Sequence, residues 1–282
     1  MYAGEGMDLL LSDAFRPTLA VFVFLASACL GSFFNVCIWR MPRGESIAWP
    51  GSHCPDCNHP LGALDNIPLL SWLFLRGRCR YCHKPITPRY FVVELLTAVV
   101  FSGLFWVHGP GVRLAVYVAF AGVLIVGSFI DFEHYILPDS LTLGALVGGL
   151  ALSAAWPALH GAMTRVDGLV AAAGGAALGG GILFLTGVIG KLALKKDAMG
   201  LGDVKLLAAI GAILGWQAVL FVILVSSLTG TLTGLALMAA GKRTLAGRIP
   251  YGPHLALAAV VWMFVGPAMV HAYWAWVTAA SA

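Results

Sequence analysis

The chain has 282 residues, of which 60% are hydrophobic and only 11% are charged, and its mean hydropathy is +0.88. Soluble domains contain about 45–50% apolar and about 25% charged residues, so the composition excludes a water-soluble globular protein and predicts an all-α polytopic membrane protein. The formal net charge of +4 calls for no nucleic-acid partner, because basic loops also suit the anionic surface of a membrane leaflet.

Apolar runs long enough to cross a bilayer recur along the chain. A transmembrane helix needs roughly 20 apolar residues, and the first run, Thr18–Ile38, is followed by Arg40 and Arg43. Because no basic stretch precedes this run and it continues past the small residues at 26–28, we interpret it as an anchor and not as a removed signal. We predict about eight spans, near 18–38, 91–107, 112–130, 140–156, 168–190, 204–216, 218–240 and 254–276.

The basic residues between these spans are unevenly distributed. If the segment after the first span is cytosolic, nearly all Lys and Arg of the loops lie inside, and only Arg16, Arg113 and Arg165 lie outside. Cytosolic loops of membrane proteins carry such an excess. The pattern therefore predicts a cytosolic location for the segment after the first span, with both termini on the other side.

The longest polar segment, Met41–Arg89, contains two Cys-x-x-Cys pairs. Cys54 and Cys57 form the first pair, and Cys79 and Cys82 form the second. Each short pair directs two thiolates at one point, and two pairs complete the closed tetrahedral site that structural Zn²⁺ prefers. We therefore predict a small zinc-binding insert between the first and second spans.

Other uses of these cysteines remain open. Disulfides would need an oxidising compartment, which the predicted cytosolic location disfavours, and no thioredoxin-like pattern surrounds either pair. The flanking His53, His59 and His83 could replace a ligand, although four thiols make this unnecessary. Cys29 and Cys37 lie in the first span and are expected to be small buried hydrophobic residues.

Two acidic residues lie at predicted helix ends on the cytosolic side. Asp131 falls in the last turn of the third span, where a carboxylate opposes the helix dipole. Asp203 follows Gly200-Leu201-Gly202 at the start of the sixth span and could be only an N-cap. Because acids near bilayer depth are usually functional, we predict that the two form a catalytic or ion-handling pair. Asp139, which precedes the fourth span, is expected to be an N-cap.

A pair of carboxylates suits two kinds of function. One carboxylate can activate water while the other, protonated, polarises an amide carbonyl, as in aspartic proteases. The alternative is a proton relay in a secondary transporter, although such acids usually lie near the midplane of the membrane. A scaffold that docks partners through the zinc insert is a third interpretation.

Several motifs occur together in order along the chain, and they resemble the type IV prepilin peptidases, the bifunctional leader peptidase and N-methyltransferase family. One departure is the spacing between Asp131 and Asp203, which is somewhat longer than expected for that family. The motifs are GSFFNVCIWRMP, the two cysteine pairs, NIPLLSW, VELLT, FIDFEHYILPDSLTL, GLGDVKLLA and IPYGPHLA.

This resemblance implies that Asp131 and Asp203 are the catalytic aspartates of an intramembrane endopeptidase. Its substrates would be prepilins or pseudopilins of type IV pilus or type II secretion systems, at the bacterial inner membrane. The new N-terminal residue, typically Phe, would be methylated from S-adenosylmethionine. Gly77 and Asn66 are the candidate residues for binding that cofactor, by resemblance only.

The predicted spans and the insert, together with the resemblance, imply an organisation in three parts. Residues 1–40 form an N-terminal segment with the first span, 41–89 the zinc insert associated with methyl transfer, and 90–282 the peptidase bundle. The Gly-rich stretch 171–181 lies in an apolar span, so we interpret it as a close helix–helix contact and not as a linker.

Overall fold

A computed structural model describes residues 16–195, 199–241 and 249–280. In these ranges the protein is helical, with short 3₁₀ turns and two isolated β-bridges. The α-helices of the described ranges are α1 (Arg16–Arg40), α2 (Leu70–Phe74), α3 (Arg89–His108), α4 (Val112–His134), α5 (Asp139–Ala155), α6 (Arg165–Leu194), α7 (Leu201–Leu214), α8 (Trp216–Ala239) and α9 (Gly252–Ala280).

The all-α membrane fold is confirmed. Each of the eight predicted spans corresponds to one helix, and the short α2 belongs to the insert. Six of the eight are long and apolar enough to cross a membrane, whereas α5 and α7 have only 17 and 14 residues. The described chain is therefore a multi-pass membrane protein in which two of the predicted spans are shorter than the bilayer requires.

The chain forms two compact units, Met1–Val126 and Gly127–Ala282, and the boundary falls within α4. In unit 1, α1 packs closely against α3 at Gly31. A side chain there would place its Cβ 2.7 Å from the Cα of Glu94. Further along the same contact, the rings of Phe34 and Phe101 meet edge to face at 6.1 Å. Because glycine has no side chain, α1 and α3 can approach each other this closely at Gly31.

The centre of unit 2 is α7. Every residue from Leu206 to Leu214 in this helix is buried, although the helix is too short to cross a bilayer alone. The Gly-rich stretch of α6 packs against it, since a Cβ on Gly175 would clash with the backbone of Gly211 and one on Gly179 with the carbonyl of Leu207. The predicted close helix–helix contact at 171–181 is confirmed.

Large apolar side chains are exposed along several helices. Phe22 in α1, Val99 in α3 and Leu224 in α8 are all more than half exposed, as expected where lipid is the solvent. Cys37 is buried in α1 as predicted, but Cys29 is exposed. The prediction that both are buried is therefore wrong for Cys29, because in a membrane a small apolar residue need not face the protein interior.

Candidate functional site

The four predicted thiol ligands of the insert come together. The sulfur atoms of Cys54, Cys57, Cys79 and Cys82 all lie within 4.8 Å of one another, and those of Cys54 and Cys82 are 3.9 Å apart. A tetrahedral zinc site with Zn–S bonds of about 2.3 Å places its sulfurs roughly 3.8 Å apart. All six cysteines of the chain are free of disulfides. The cluster therefore has the donor set and spacing that could bind a metal ion such as Zn²⁺.

The two Cys-x-x-Cys turns have the same backbone structure. The N–H of Cys54 donates to the carbonyl of His59 at 3.0 Å, and the N–H of Cys79 donates to the residue five positions later at 2.9 Å. Asn58 and His83, each four residues after the first cysteine of its pair, have φ values of +54° and +58°. Each turn thus directs its two thiols without help from the rest of the chain.

Contacts between the turns follow an approximate two-fold symmetry. Lys84 binds Asp56 at 2.8 Å, and the ring of His59 stacks on that of Tyr81 with centroids 3.5 Å apart. Positions 56 and 81 are equivalent in the two turns, as are 59 and 84, so one contact is the counterpart of the other. His59 is engaged in this stacking, and no histidine belongs to the group of candidate ligands in the described residues.

Electrostatic contacts favour the charged forms of two groups in the insert. Backbone N–H groups of Cys82 and Tyr81 bond the Cys79 sulfur and lower the pKa of this thiol to about 7, which favours the thiolate that metal binding requires. The hydrogen bond from Arg80 lowers the pKa of Asp65. This ion pair connects the second turn to the preceding 3₁₀ turn.

The two residues associated by resemblance with the methyl donor lie in the insert. Gly77 has φ +66°, and a Cβ there would lie 2.9 Å from the indole of Trp72, so packing alone explains a glycine. Asn66 is exposed and directly follows the 3₁₀ turn at Ala63–Asp65. Their assignment to cofactor binding stays a prediction.

Asp131 lies in the last turn of α4, and its side chain is buried. Its Oδ2 atom accepts a hydrogen bond of 3.1 Å from the backbone N–H of Gly252, the first residue of α9. The free N–H groups and positive dipole of a helix N-terminus stabilise a nearby negative charge. The unfavourable dipole that α4 presents to this carboxylate is thus opposed by α9.

Asp203 is the third residue of α7, after Gly200 at the N-cap. The N–H of Gly200 bonds the carboxylate of Asp203, and the charge of Asp131 acts on it as well. The prediction that Asp203 could itself be the N-cap is therefore wrong, because the helix begins two residues earlier and the carboxylate reaches back to the capping residue. The structure places the two predicted acids near enough for the charge of Asp131 to act on Asp203.

Leu137, in the loop between α4 and α5, fills the space beside these acids. A Cβ on Gly202 would lie 2.9 Å from the Leu137 Cβ, and one on Gly252 would lie 3.2 Å from its Cδ1. Gly127 of α4 meets the same side chain, at 3.3 Å. Three glycines on three helices thus leave room for one leucine, which explains the close approach of these helices near Asp131.

Asp139 has a different role from the one predicted. It is the first residue of α5, the N-cap is Pro138, and no side chain caps this helix. The carboxylate of Asp139 instead binds Nζ of Lys205 at 2.6 Å, and both side chains are partly exposed. The ion pair links the start of α5 to the fifth residue of α7, two residues after Asp203.

Polar contacts with α8 hold the segment that carries Gly252, on both sides of this glycine. The hydroxyl groups of Tyr251 and Ser226 are 2.8 Å apart, and Nδ1 of His254 lies 3.2 Å from Oγ1 of Thr229. Neither spacing nor composition distinguishes Gly252 or its neighbours in the sequence. The only signal for them was the motif IPYGPHLA, which contributed to the resemblance.

Comparisons with known proteins cover most of the chain. The model for the bacterial peptidase A24 N-terminal domain matches residues 25–108, and the model for the type IV leader peptidase family matches residues 118–235. The chain is also similar to curated proteins named prepilin leader peptidase/N-methyltransferase. That of Aeromonas hydrophila is 39% identical, over 89% of this chain and 92% of its own length.

Proteins of two further bacteria match the chain under the same name. The Myxococcus xanthus protein is 40% identical, over 83% of this chain and 67% of its own length. The Burkholderia pseudomallei protein is 34% identical, over 87% of this chain and 85% of its own length. No solved structure matches the chain.

Proposed function

Because this chain belongs to the type IV leader peptidase family, we propose that it removes the leader of type IV prepilins or pseudopilins and then N-methylates the new N-terminal residue, typically Phe. Asp131 and Asp203 are the catalytic pair in this proposal. The observation that carries it is their convergence: two acids from distant helix ends interact, and a helix N-terminus faces one of them.

Hydrolysis requires the two carboxylates to have different protonation states. Two carboxylates that share one site do not both ionise easily, so in this proposal the pair retains one proton. The ionised member takes a proton from water, while the protonated member donates to the carbonyl oxygen of the scissile amide. The water oxygen bonds the carbonyl carbon to give a tetrahedral diol. When the C–N bond breaks, the departing amine takes the proton that the first carboxylate removed from water, and one diol hydroxyl returns its proton to the second carboxylate.

The insert provides the metal site of the proposed enzyme. Cys54, Cys57, Cys79 and Cys82 would hold one Zn²⁺ with no open position, which is typical of structural and not of catalytic zinc. An insert of under fifty residues has too little core to fold securely without such a site. The metal would therefore order the segment between α1 and α3.

The methyl group would come from S-adenosylmethionine, which supplies it from a sulfonium centre. Asn66 and Gly77 remain the candidates for binding this donor, by resemblance. In this organisation 1–40 is the N-terminal segment with the first span, 41–89 is the insert associated with methyl transfer, and 90–282 is the peptidase bundle.

The same proposal places the protein in the bacterial inner membrane, with the insert and both aspartates facing the cytosol. The excess of Lys and Arg in the loops on the side of the insert supports this orientation. The partners would be prepilin or pseudopilin substrates and the surrounding lipid, in a pilus or a type II secretion system.

The test is leader release from a model prepilin in liposomes, with the N-terminal mass of the product measured in the presence of S-adenosylmethionine. Wild type is expected to release the leader and add one methyl group, whereas Asp131→Asn and Asp203→Asn release none. Asp139→Asn is the matched control, because this acid is exposed and pairs with Lys205. Folded Asp131→Asn and Asp203→Asn variants that still cut the substrate would show that these aspartates are structural.

A further inference from the structure

Glu94 is a buried carboxylate in a membrane helix, and hydrolysis by the aspartate pair does not use it. Its side chain belongs to unit 1, and the residue is only 7% exposed. It is the sixth residue of α3, roughly 8 Å along the helix axis from the first. Keeping an acid at such a depth is costly, and such acids usually serve a function.

The described contacts of Glu94 are with neutral donors. Its Oε2 accepts the backbone N–H of Leu69 at 2.7 Å, and the hydroxyl of Ser32 bonds the same carboxyl group. By contrast, the insert acids Asp56 and Asp65 each pair with a Lys or Arg. Glu94 thus has the acceptor capacity to take a further, cationic donor.

A second buried acceptor lies on the same helix contact. Asn35 of α1 is 2% exposed, and its Nδ2 donates to the carbonyls of Tyr90 at 3.0 Å and Gly31 at 3.4 Å. A flip that exchanges Nδ2 and Oδ1 of Asn35 is excluded, because the oxygen would then face two carbonyl oxygens. Its Oδ1 is buried without a hydrogen-bond partner in the described structure.

Asn35 and Glu94 belong to the same contact between α1 and α3, because Asn35 also bonds the carbonyl of Tyr90, one turn before Glu94. Gly31, one turn before Asn35, meets the Cα of Glu94, and Ser32, which bonds Glu94, lies three residues before Asn35. Residues three and four positions apart share one face of a helix. A carboxylate and an orphan carbonyl oxygen on one helix contact make a site for a group that is positively charged and carries several hydrogen-bond donors.

We propose that Glu94 and Asn35 bind the α-ammonium group of the peptide that the methyl transfer modifies. This inference rests on the proposed function. Glu94 accepts one proton from the ammonium, which frees the nitrogen lone pair. The nitrogen then forms a bond to the methyl carbon, the bond from that carbon to sulfur breaks, and its electron pair remains on sulfur. Asn35 Oδ1 accepts one of the remaining N–H groups and holds the nitrogen in place.

The first test is peptide binding without any methyl donor. A short peptide with the mature substrate sequence and a free N-terminal Phe is compared with the same peptide N-acetylated, using the purified full-length protein in detergent. Wild type is expected to bind the free amine at least about tenfold more tightly, as for a hydrogen bond to a charged group. Equal binding of the two peptides to wild type would overturn the proposal.

Two variants separate amine binding from a purely structural role. Glu94→Gln removes the charge but keeps an oxygen that can accept the N–H of Leu69. If Glu94 only anchors the loop at Leu69, this variant should bind both peptides as wild type does. We expect Glu94→Gln and Asn35→Leu to lose the preference for the free amine. Thr97→Val is the matched control, because the Thr97 hydroxyl only bonds Val93 within α3.

The second readout is the fraction of released product that carries a methyl group. This fraction should fall at least about tenfold in Glu94→Gln, as expected when a catalytic acid or base is lost, and stay unchanged in Thr97→Val. A Glu94→Gln variant with the wild-type fraction and preference would show that Glu94 is only a loop anchor. Leader release by wild type, measured on the same preparation, tests the proposed function separately.

Discussion

The backbone N–H of Gly252 donates a hydrogen bond to Oδ2 of Asp131, although the two residues are 121 positions apart. Gly252 begins α9, so the positive end of that helix is directed at the carboxylate. Because the contact comes from the backbone, any side chain at 252 affects it only through steric hindrance.

Replacing Gly252 with alanine should therefore impair leader release. A Cβ at this position would lie 2.8 Å from Oδ2 of Asp131 and 3.2 Å from Cδ1 of Leu137, so the helix start or the carboxylate must move. Loss of a hydrogen bond to a charged group costs about 1.5–3 kcal/mol, which predicts a decrease of about 10- to 100-fold in the cleavage rate. The control is Gly230→Ala, where the nearest atom would be 3.8 Å away; a Gly252→Ala rate equal to that of this control would contradict the assignment.

Two adjacent glycines of α6 should respond oppositely to alanine. A Cβ on Gly175 would clash with the backbone of Gly211, whereas one on Gly174 meets nothing within 4 Å. We expect Gly175→Ala to lower the free energy of unfolding by about 1–3 kcal/mol or more, as overpacking does. Gly174→Ala should be neutral or slightly stabilising, because alanine favours the helix by up to about 1 kcal/mol. Thermal unfolding in detergent measures both, and similar effects at the two positions would argue against the close contact of α6 with α7.

Removing the metal should unfold the insert. We expect about one zinc per chain in purified wild type by metal analysis, and almost none in Cys79→Ser, since structural zinc sites need all their thiolates. Loss of zinc should expose 41–89 to proteolysis. Cys29→Ser is the control, because Cys29 lies outside the cluster and is exposed. A Cys79→Ser protein that kept its zinc and resisted proteolysis would exclude the four-thiolate site.

The stability of unit 2 should decrease in mild acid because of His160. Its Nε2 lies 3.0 Å from Oγ of Ser153 and 3.1 Å from the carbonyl of Ala212, and burial lowers the pKa of this imidazole. The unfolded chain therefore binds a proton more readily than the folded protein once the pH falls below about 6.5, the usual histidine value. The contribution of neutral His160 to the free energy of unfolding is fully present above that pH and decreases as the pH falls below it.

Thermal unfolding between pH 7.5 and 5 measures this effect. In His160→Gln the decrease should be smaller, since glutamine keeps a donor for the Ala212 carbonyl and does not titrate in this range. If the unfolding temperature falls equally with pH in wild type and in the variant, groups other than His160 cause the acid sensitivity.

Composition and local pattern were sufficient for much of the architecture. Apolar runs predicted the eight main helices of the described residues, although two of them are too short to cross a bilayer, because in lipid every backbone polar group must be bonded within its own segment. The cysteine pairs predicted the metal-binding cluster, since each Cys-x-x-Cys turn closes through its own backbone. Local pattern failed at Asp139 and Asp203, where the helix start lies one or two residues away from the expected position and the partner of Asp139 is the distant Lys205.

The sequence by itself determined that the chain lies in a membrane, how many main helices its described part contains, and which four thiols of the insert come together. These features depend on side-chain chemistry over short stretches. Only the tertiary structure decided that the N–H of Gly252 meets Asp131, that Leu137 fills the space left by three glycines, and that the buried Oδ1 of Asn35 has no hydrogen-bond partner in the described structure. Contacts of this kind join segments that are far apart in the chain, and they are set by how closely the helices pack, which no local preference of the backbone specifies.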